Sequence, residues 1–175
     1  ANGDGTVFAA NGSEVQQVAL RDISDHWAHD AVRTAVMKGY VNGYPDGTFR
    51  PDAGVTRAEF IKMIVTALQL PYTGGGPVWY EPYVNSAIRH GIHEASEFED
   101  YDPELNRLQM MRLVSRALST KGYYAEYLNA FKGLYYGDLP FIDYRDLTQD
   151  DVPYAALAIG SGVMGGYPDA TMGLN

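Results

Sequence analysis

The 175-residue chain contains no cysteine, which excludes disulfide bonds, thiolate zinc sites and a cysteine nucleophile. It has no apolar run approaching the roughly 18 residues that a membrane-spanning helix needs, and no basic amphipathic stretch suited to a lipid surface. Basic residues are scarce, because 13 Lys and Arg stand against 22 Asp and Glu, for a net charge of -9. A nucleic-acid phosphate backbone repels a protein of this charge, so we do not expect nucleic acid as a partner. The missing apolar run means that we do not expect membrane insertion either.

What the chain does contain indicates a folded protein rich in aromatic side chains. Its hydrophobic fraction is 46%, enough for a buried core, and it has 14 tyrosines. Tyrosines fill cores and also stack on the faces of sugar rings. We assign most of them to core packing.

Residues 39–68 carry the strongest local signal. Thr56 can cap the first turn of a helix while Glu59 reaches back to the backbone N–H of Thr56, the reciprocal pattern of a capping box. The apolar residues that follow recur at helical spacing and predict a buried stripe: Phe60, Met63, Ile64, Ala67 and Leu68. Arg57 is unusual, because a cation at the positive end of a helix dipole is unfavourable. We interpret it as an anion ligand acting together with the helix N-terminus, with a solvated arginine or one paired with Asp52 as the alternative.

The same unit occurs again further along the chain. The helix pattern of residues 27–39 recurs at residues 79–91, and the capped arginine recurs as Asn106, Arg107 and Gln109. A recurring arginine at the same helical position strengthens a functional interpretation over an incidental one.

Two segments depart from this repeat. Residues 93–100 carry acids where the first unit has Asn-Gly-Tyr-Pro-Asp-Gly, so a groove built from this loop opposes an anionic ligand. Residues 119–140 interrupt the repeats, and the spacing of their aromatic residues predicts one short inserted helix with a packing face.

A third unit begins at Arg145-Asp146-Leu147, which echoes Arg21-Asp22-Ile23, and reaches a Gly-Tyr-Pro-Asp turn at residues 166–169. Its capped helix is expected beyond Asn175. We expect either a longer chain or another segment in the place of that helix. Residues 1–19 read as a loosely ordered arm, in which Ser13-Glu14-Val15-Gln16 weakly predicts a substitute helix start.

Four motifs together resemble the S-layer homology domain. They are Ile23-Ser24-Asp25, His26-Trp27-Ala28, the run GYPDGTFRP from Gly43 to Pro51, and Thr56-Arg57-Ala58-Glu59. The resemblance extends over residues 20–175 and is most specific in the first unit. It implies an all-α fold, a pseudo-threefold prism of tandem helix-loop-helix motifs around a central helical bundle with grooves between neighbouring motifs. The implied segments are an arm at 1–19, motif 1 at 20–70, motif 2 at 71–118, an inserted helix or linker at 119–140, and the first half of motif 3 at 141–175.

This resemblance also implies a function. The family attaches S-layer proteins and exoenzymes noncovalently to pyruvylated secondary cell wall polymers of Gram-positive bacteria. The chain is then expected to be a secreted, non-catalytic anchoring module at the cell surface that binds this polysaccharide without a cofactor, with self-assembly through the rest of an S-layer protein as a further interaction.

The family's ligand-binding positions map onto particular residues here. They are Arg57, Arg107, Asn42, Gly43, Tyr44, Gly166 and Tyr167, with Trp27 or Trp79 as an apolar wall. A planar guanidinium can hold the pyruvyl carboxylate through two hydrogen bonds. For the two tryptophans, core packing is the alternative.

Other site chemistries have weaker signals. The pairs His26/His29 and His90/His93 could chelate a metal on a helix face, but they do not align between repeats, so we expect no metal site. No nucleophile elbow or phosphate loop is present and we assign no catalytic residue. A glycan-metabolising enzyme domain and a protein-binding repeat module are the alternative functions, and a converging acid pair in a pocket would indicate the enzyme.

Overall fold

The computed structural model describes residues 6–11, 14–74 and 76–174. Its elements in chain order are β1 (Thr6–Asn11), β2 (Glu14–Ala19), α1 (His29–Met37), α2 (Arg57–Ala67), α3 (Glu81–Arg89), α4 (Arg107–Ser119), α5 (Gly122–Phe131) and α6 (Val152–Gly160). No helix in these ranges is long and apolar enough to cross a membrane.

The chain divides into two compact units. Unit 1 comprises residues 1–55 and 63–70, and unit 2 comprises residues 56–62 and 71–175. From residue 20 to 174 the described chain consists of helices, short 3-10 turns, loops and one isolated bridge, so the all-α class is confirmed for this part. The pseudo-threefold prism and the motif boundaries stay predictions.

The N-terminal arm differs from its prediction. β1 and β2 pair antiparallel, with Asn11 opposite Glu14. Residues 14–16 therefore lie in a strand and the substitute helix start predicted there is wrong, while Ser13 is outside the described residues.

Unit 1 is built on a small apolar core that α1 helps to form. Val32 and Val36, one turn apart, are buried together with Leu20 and Ile23. The helix closes at Gly39, which adopts φ +71 as the sequence predicts. Ser24 or Asp25 could start this helix by residue type, but α1 begins at His29, because the preceding residues form turns.

Unit 2 has its core among α4, α6 and the Gly-Tyr-Pro-Asp loop of the third sequence repeat, residues 165–174. Its buried members are Met111, Leu147, Ala155, Ala158, Met172 and Leu174. The inserted helix is confirmed as α5, which packs on α4 and α6. Of its predicted packing face, Tyr124, Leu128 and Phe131 are half-buried, whereas Tyr127 is exposed, so the prediction is wrong for Tyr127 alone.

An aspartate holds each Gly-Tyr-Pro-Asp loop in place. The Asp22 carboxylate accepts backbone hydrogen bonds from residues 49–50 at 2.6–2.8 Å, and the Asp143 carboxylate accepts them from residues 172–173 at 2.8–2.9 Å. The sequence echo had placed Asp146 opposite Asp22. The structure gives that role to Asp143, because an additional 3-10 turn separates it from the buried Leu147.

The two turns share one hydrogen-bond pattern. Tyr44 N donates to Thr48 O at 2.8 Å, and Tyr167 N donates to Thr171 O at 2.8 Å. Inside these turns Gly47 has φ +78, while its counterpart Ala170 has φ +63. Only the alanine carries a Cβ in the left-handed region, so the third unit's turn is strained where the first is not.

We expect Ala170→Gly to stabilise the protein and Gly47→Ala to destabilise it. The left-handed conformation costs a non-glycine residue about 1–2 kcal/mol, and the greater freedom of glycine in the unfolded chain offsets about 0.4–1 kcal/mol of this. Each change should therefore alter the free energy of unfolding by about 0.5–1 kcal/mol, in opposite directions. Urea unfolding followed by circular dichroism measures both, and an Ala170→Gly variant less stable than wild type would contradict the expectation.

Candidate functional site

The starts of α2 and α4 carry the capping boxes that the sequence predicts. Thr56 N donates to Glu59 Oε2 at 3.0 Å, and Glu59 N donates to Thr56 Oγ1 at 3.2 Å. At α4, Asn106 N donates to Gln109 Oε1 at 3.2 Å and the Gln109 N–H is accepted by Asn106 Oδ1 at 2.9 Å. Both helices therefore begin at a fixed residue, and an arginine follows the cap in each.

The remaining donors of the first turn of α2 are not available to an anion. Arg57 N donates to Pro103 O and Ala58 N donates to Tyr101 O, both at 3.0 Å. Glu59 N is already taken by its cap. The expectation that the helix N-terminus and Arg57 jointly hold an anion is thus wrong, because the carbonyls of Pro103 and Tyr101, in the loop between α3 and α4, already accept from these N–H groups. Only the guanidinium is left as an anion ligand.

The Arg57 side chain extends along this loop between α3 and α4. Its Nη1 donates to Asp100 O at 2.8 Å, and its guanidinium carbon lies 4.6 Å from the centroid of the Phe98 ring. Its Nε is buried and has no hydrogen-bond partner among the described residues. Phe98 itself is buried, so the stacked ring offers no face to a ligand.

Arg107 makes the equivalent contacts with the loop of the third sequence repeat, residues 165–174. Its Nε donates to Met172 O at 2.8 Å and its Nη2 donates to Gly165 O at 2.6 Å. The guanidinium carbon lies 5.0 Å from the centroid of the Tyr167 ring, which is 49% exposed. Leu108 N, one residue on, donates to Leu174 O at 3.4 Å. Arg107 and Tyr167 therefore form an open edge with a cation beside an accessible ring.

The predicted glycines also have a packing role. A Cβ at Gly43 would overlap the Leu20 side chain, and a Cβ at Gly166 would overlap the Phe141 ring. Both positions therefore require glycine for packing, whether or not a ligand approaches. Asn42, which precedes the first of them, is exposed.

Sequence reasoning missed Arg50, which lies beside the Tyr44 ring. The Arg50 guanidinium carbon lies 4.0 Å from the Tyr44 ring centroid, and its Nη2 bonds Asp46 Oδ2 at 3.0 Å. Hydrogen bonds from Thr48 and then from Arg50 lower the pKa of Asp46 to about 2. The i,i+4 spacing of the acid and the arginine was the available signal.

Neither tryptophan is a core residue. Trp27 is 90% exposed, since it precedes α1, and its only ring neighbour among the described residues is His26 at 5.4 Å. Trp79 is 54% exposed, and the Lys62 Nζ lies 5.7 Å from its ring centroid. The core alternative is wrong for both, and their role as an apolar wall stays a prediction.

Each paired histidine has its own protein partner. His26 Nε2 lies 3.1 Å from Asp52 Oδ1, and His93 lies between Glu97 Oε2 at 3.1 Å and the Tyr101 hydroxyl at 2.7 Å. In the described ranges no three His, Asp or Glu side chains converge in a way that could hold a metal ion.

Two buried carboxylates face arginines in unit 2. Arg112 Nε lies 2.6 Å from Asp151 Oδ1, and Arg116 Nη1 lies 2.7 Å from Glu97 Oε2. Burial alone would raise the pKa of the Glu97 carboxyl, but the His93 hydrogen bond and the attraction of Arg116 hold that pKa below its ordinary value of 4.5. Arg112 and Thr148 likewise lower the pKa of Asp151 against the effect of burial.

The Glu97 ion pair predicts an acid-sensitive stability. A carboxyl whose pKa is lower in the folded state stabilises the protein above pH 4.5, and this stabilisation is lost as the pH falls through the folded pKa. At pH 7, Glu97→Gln should lower the free energy of unfolding by about 1–3 kcal/mol, as expected for a charged hydrogen bond. The difference from wild type should shrink below pH 4.5.

Urea unfolding at several pH values tests this, with Glu126→Gln on exposed α5 as the matched control. A Glu97→Gln difference that stays constant between pH 7 and pH 3 would show that the charge of Glu97 is not what stabilises the fold.

Comparison with known proteins identifies the first unit. Residues 19–61 match the S-layer homology domain. The cellulosome-anchoring protein of Acetivibrio thermocellus is 37% identical over 93 residues, which is 53% of this chain and 21% of that protein. The exoglucanase XynX of the same organism is 27% identical over 163 residues, 87% of this chain and 14% of that protein.

The S-layer protein sap of Bacillus anthracis is 29% identical over 110 residues, 56% of this chain and 13% of that protein. In each case the chain spans a small part of the relative's length. The chain carries an S-layer homology domain and is related in sequence to S-layer proteins.

Proposed function

We propose that this chain is a non-catalytic anchoring module that attaches a larger protein to the cell surface by binding an anionic wall polysaccharide. The bound group is a pyruvylated sugar, whose ketal presents a carboxylate. The matched domain and the cellulosome-anchoring and S-layer relatives support the anchoring part. The polymer and its pyruvyl substituent are what the resemblance to the S-layer homology domain implies, and the arginine side chains are compatible with a carboxylate. A Gram-positive wall is the narrower form of the proposal.

The observation that carries the proposal is the arginine beside Tyr167. Arg107 reaches the third unit's loop, fixes itself to two backbone carbonyls, and stands next to a half-exposed ring. Its Nη1 makes no hydrogen bond to any residue that the structure describes. A guanidinium beside an aromatic face suits a sugar that carries a carboxylate, because the ring takes the apolar face while the cation takes the charge.

The Arg57 groove is the weaker of the two. It has more donors left over, since Nε is unpartnered, but the ring under it is buried and the loop around it is acidic. Arg116 pairs with both Glu94 and Glu97 of that loop, so one of their two negative charges is left uncompensated by it. Glu99 and Asp100 stay exposed and repel a carboxylate. The third unit's loop has Asp169 as its one acid between residues 165 and 174.

An enzyme of glycan metabolism has less support. Glu97 and Asp151 line one cleft, but each faces an arginine and each has a lowered pKa. Glycoside hydrolysis needs one carboxyl whose pKa is raised so that it can donate a proton near neutral pH. This pair has the opposite electrostatics.

Arg107→Ala should weaken binding of purified pyruvylated wall polysaccharide. A charge-assisted hydrogen bond contributes about 1.5–3 kcal/mol, which corresponds to roughly a 10- to 100-fold loss of affinity. Isothermal titration calorimetry measures it. Arg107→Lys should recover little, because an ammonium cannot form the paired hydrogen bonds. Arg57→Ala should cost less than Arg107→Ala.

Arg33→Ala, an exposed arginine of α1, is the matched control and should bind as wild type does. Tyr167→Ala is a second test, for the case that Arg107→Ala disturbs the loop. It leaves the charge in place and removes the ring, and it should also weaken binding. Equal affinity of the Arg33→Ala and Arg107→Ala variants would refute the proposed site, and no heat with wild type would refute the polymer.

A further inference from the structure

A separate cleft lies within unit 2. It has a volume of about 780 Å³. Its walls are Glu94, Ser96 and Glu97, one face of α4, the C-terminal end of α5, and residues 148–151, 153 and 154. None of its lining residues bonds to Arg57 or Arg107. A volume of this size accommodates a small ligand such as a disaccharide.

The charges of the cleft are compensated by one another. Arg112 is paired with Asp151, and Arg116 is paired with both Glu97 and Glu94, at 2.7 and 3.3 Å. The lining also holds Lys132 and Asp150, so it carries three basic and four acidic side chains. A ligand with a large net charge therefore gains little here, since attraction and repulsion are nearly balanced. A neutral ligand with many hydroxyl groups meets donors and acceptors on every wall.

One acceptor in this wall has no partner. The Glu97 side chain is 9% exposed, and its Oε2 accepts from His93 and Arg116. Its Oε1 is buried without a hydrogen-bond partner among the described residues. A buried acceptor left unpaired is unfavourable, and the charged hydrogen bonds to Oε2 offset this cost.

The cleft also offers apolar surface between its polar groups. Leu128, Pro153 and the Tyr154 ring contribute to the lining. The Arg116 guanidinium carbon lies 5.0 Å from the Tyr154 ring centroid, which fixes the ring in the wall. Sugars have the same division, with apolar C–H faces between rims of hydroxyl groups.

From this combination we infer that the cleft is a binding site for an uncharged sugar unit of the wall polysaccharide, with sugar hydroxyl groups against its polar lining and a sugar C–H face against Leu128, Pro153 and Tyr154. The inference rests on the proposed function in that the ligand is a wall glycan. It adds a second subsite, in which the inserted helix α5 supplies one wall through Leu128 and Lys132.

The test uses wall polysaccharide from which the pyruvyl groups have been removed by mild acid, added to the ¹⁵N-labelled chain. Amide signals of Ser96, Arg116 and Gln149 should shift and saturate. Ser96→Trp, which places an indole in the cleft, should weaken this binding at least about tenfold, a change of about 1.4 kcal/mol. Ala95→Trp, at the neighbouring exposed residue outside the lining, is the matched control and should bind as wild type does.

If Ser96→Trp fails to fold, Lys132→Trp is the replacement variant. It narrows the cleft from the C-terminal end of α5 and should weaken binding in the same way. Absence of saturable shifts at these amides, or equal binding by the Ser96→Trp and Ala95→Trp variants, overturns the inference. Saturation by a Lys–Asp dipeptide but not by the polymer also overturns it and assigns a zwitterionic ligand instead. Loss of Arg107-dependent binding to the pyruvylated polymer, with the cleft shifts intact, refutes the proposed anionic site alone.

Discussion

The hydrogen bonds from the starts of α2 and α4 to a later loop determine where the two arginines lie. Ala58 N donates to Tyr101 O and Leu108 N donates to Leu174 O, so the start of α2 is fixed to the loop after α3 and the start of α4 to the loop after α6. The residue just before each donor is an arginine, and its side chain runs along the same loop. A cation at a helix start costs only about 0.3–1 kcal/mol, and the carbonyls that accept from the guanidinium offset this cost.

The local features of this fold follow from sequence patterns, and the non-local ones do not. The cap of Thr56 and Glu59 and the closing turn at Gly39 depend on residues a few positions apart, so they could be predicted. The loop that Arg107 meets is supplied by residues 165–172, more than fifty positions away, and no local pattern specifies it.

The sequence predictions that failed have the same physical origin. Trp27 was placed on a helix face by periodicity, but turns precede α1 and leave the ring in solvent. Asp146 was aligned by its neighbours, although the carboxylate that holds the loop comes from Asp143. In both cases an inserted or shortened turn changes which way a side chain points without changing the pattern of residue types.

The proposed function requires a chain with a net charge of -9 to hold an anionic polymer. At physiological ionic strength charges are screened beyond about 8 Å, so the local groups decide. Around Arg107 the single loop acid, Asp169, is engaged by Thr171, and the guanidinium meets little opposing charge. The attraction there still weakens as salt rises, whereas contacts of hydroxyl groups with a charge-compensated cleft do not. Because both subsites would engage one chain, their affinities combine through effective concentration. Under the proposed function, neutral contacts of this kind would let an acidic anchor keep its polymer where the electrostatic attraction alone is small.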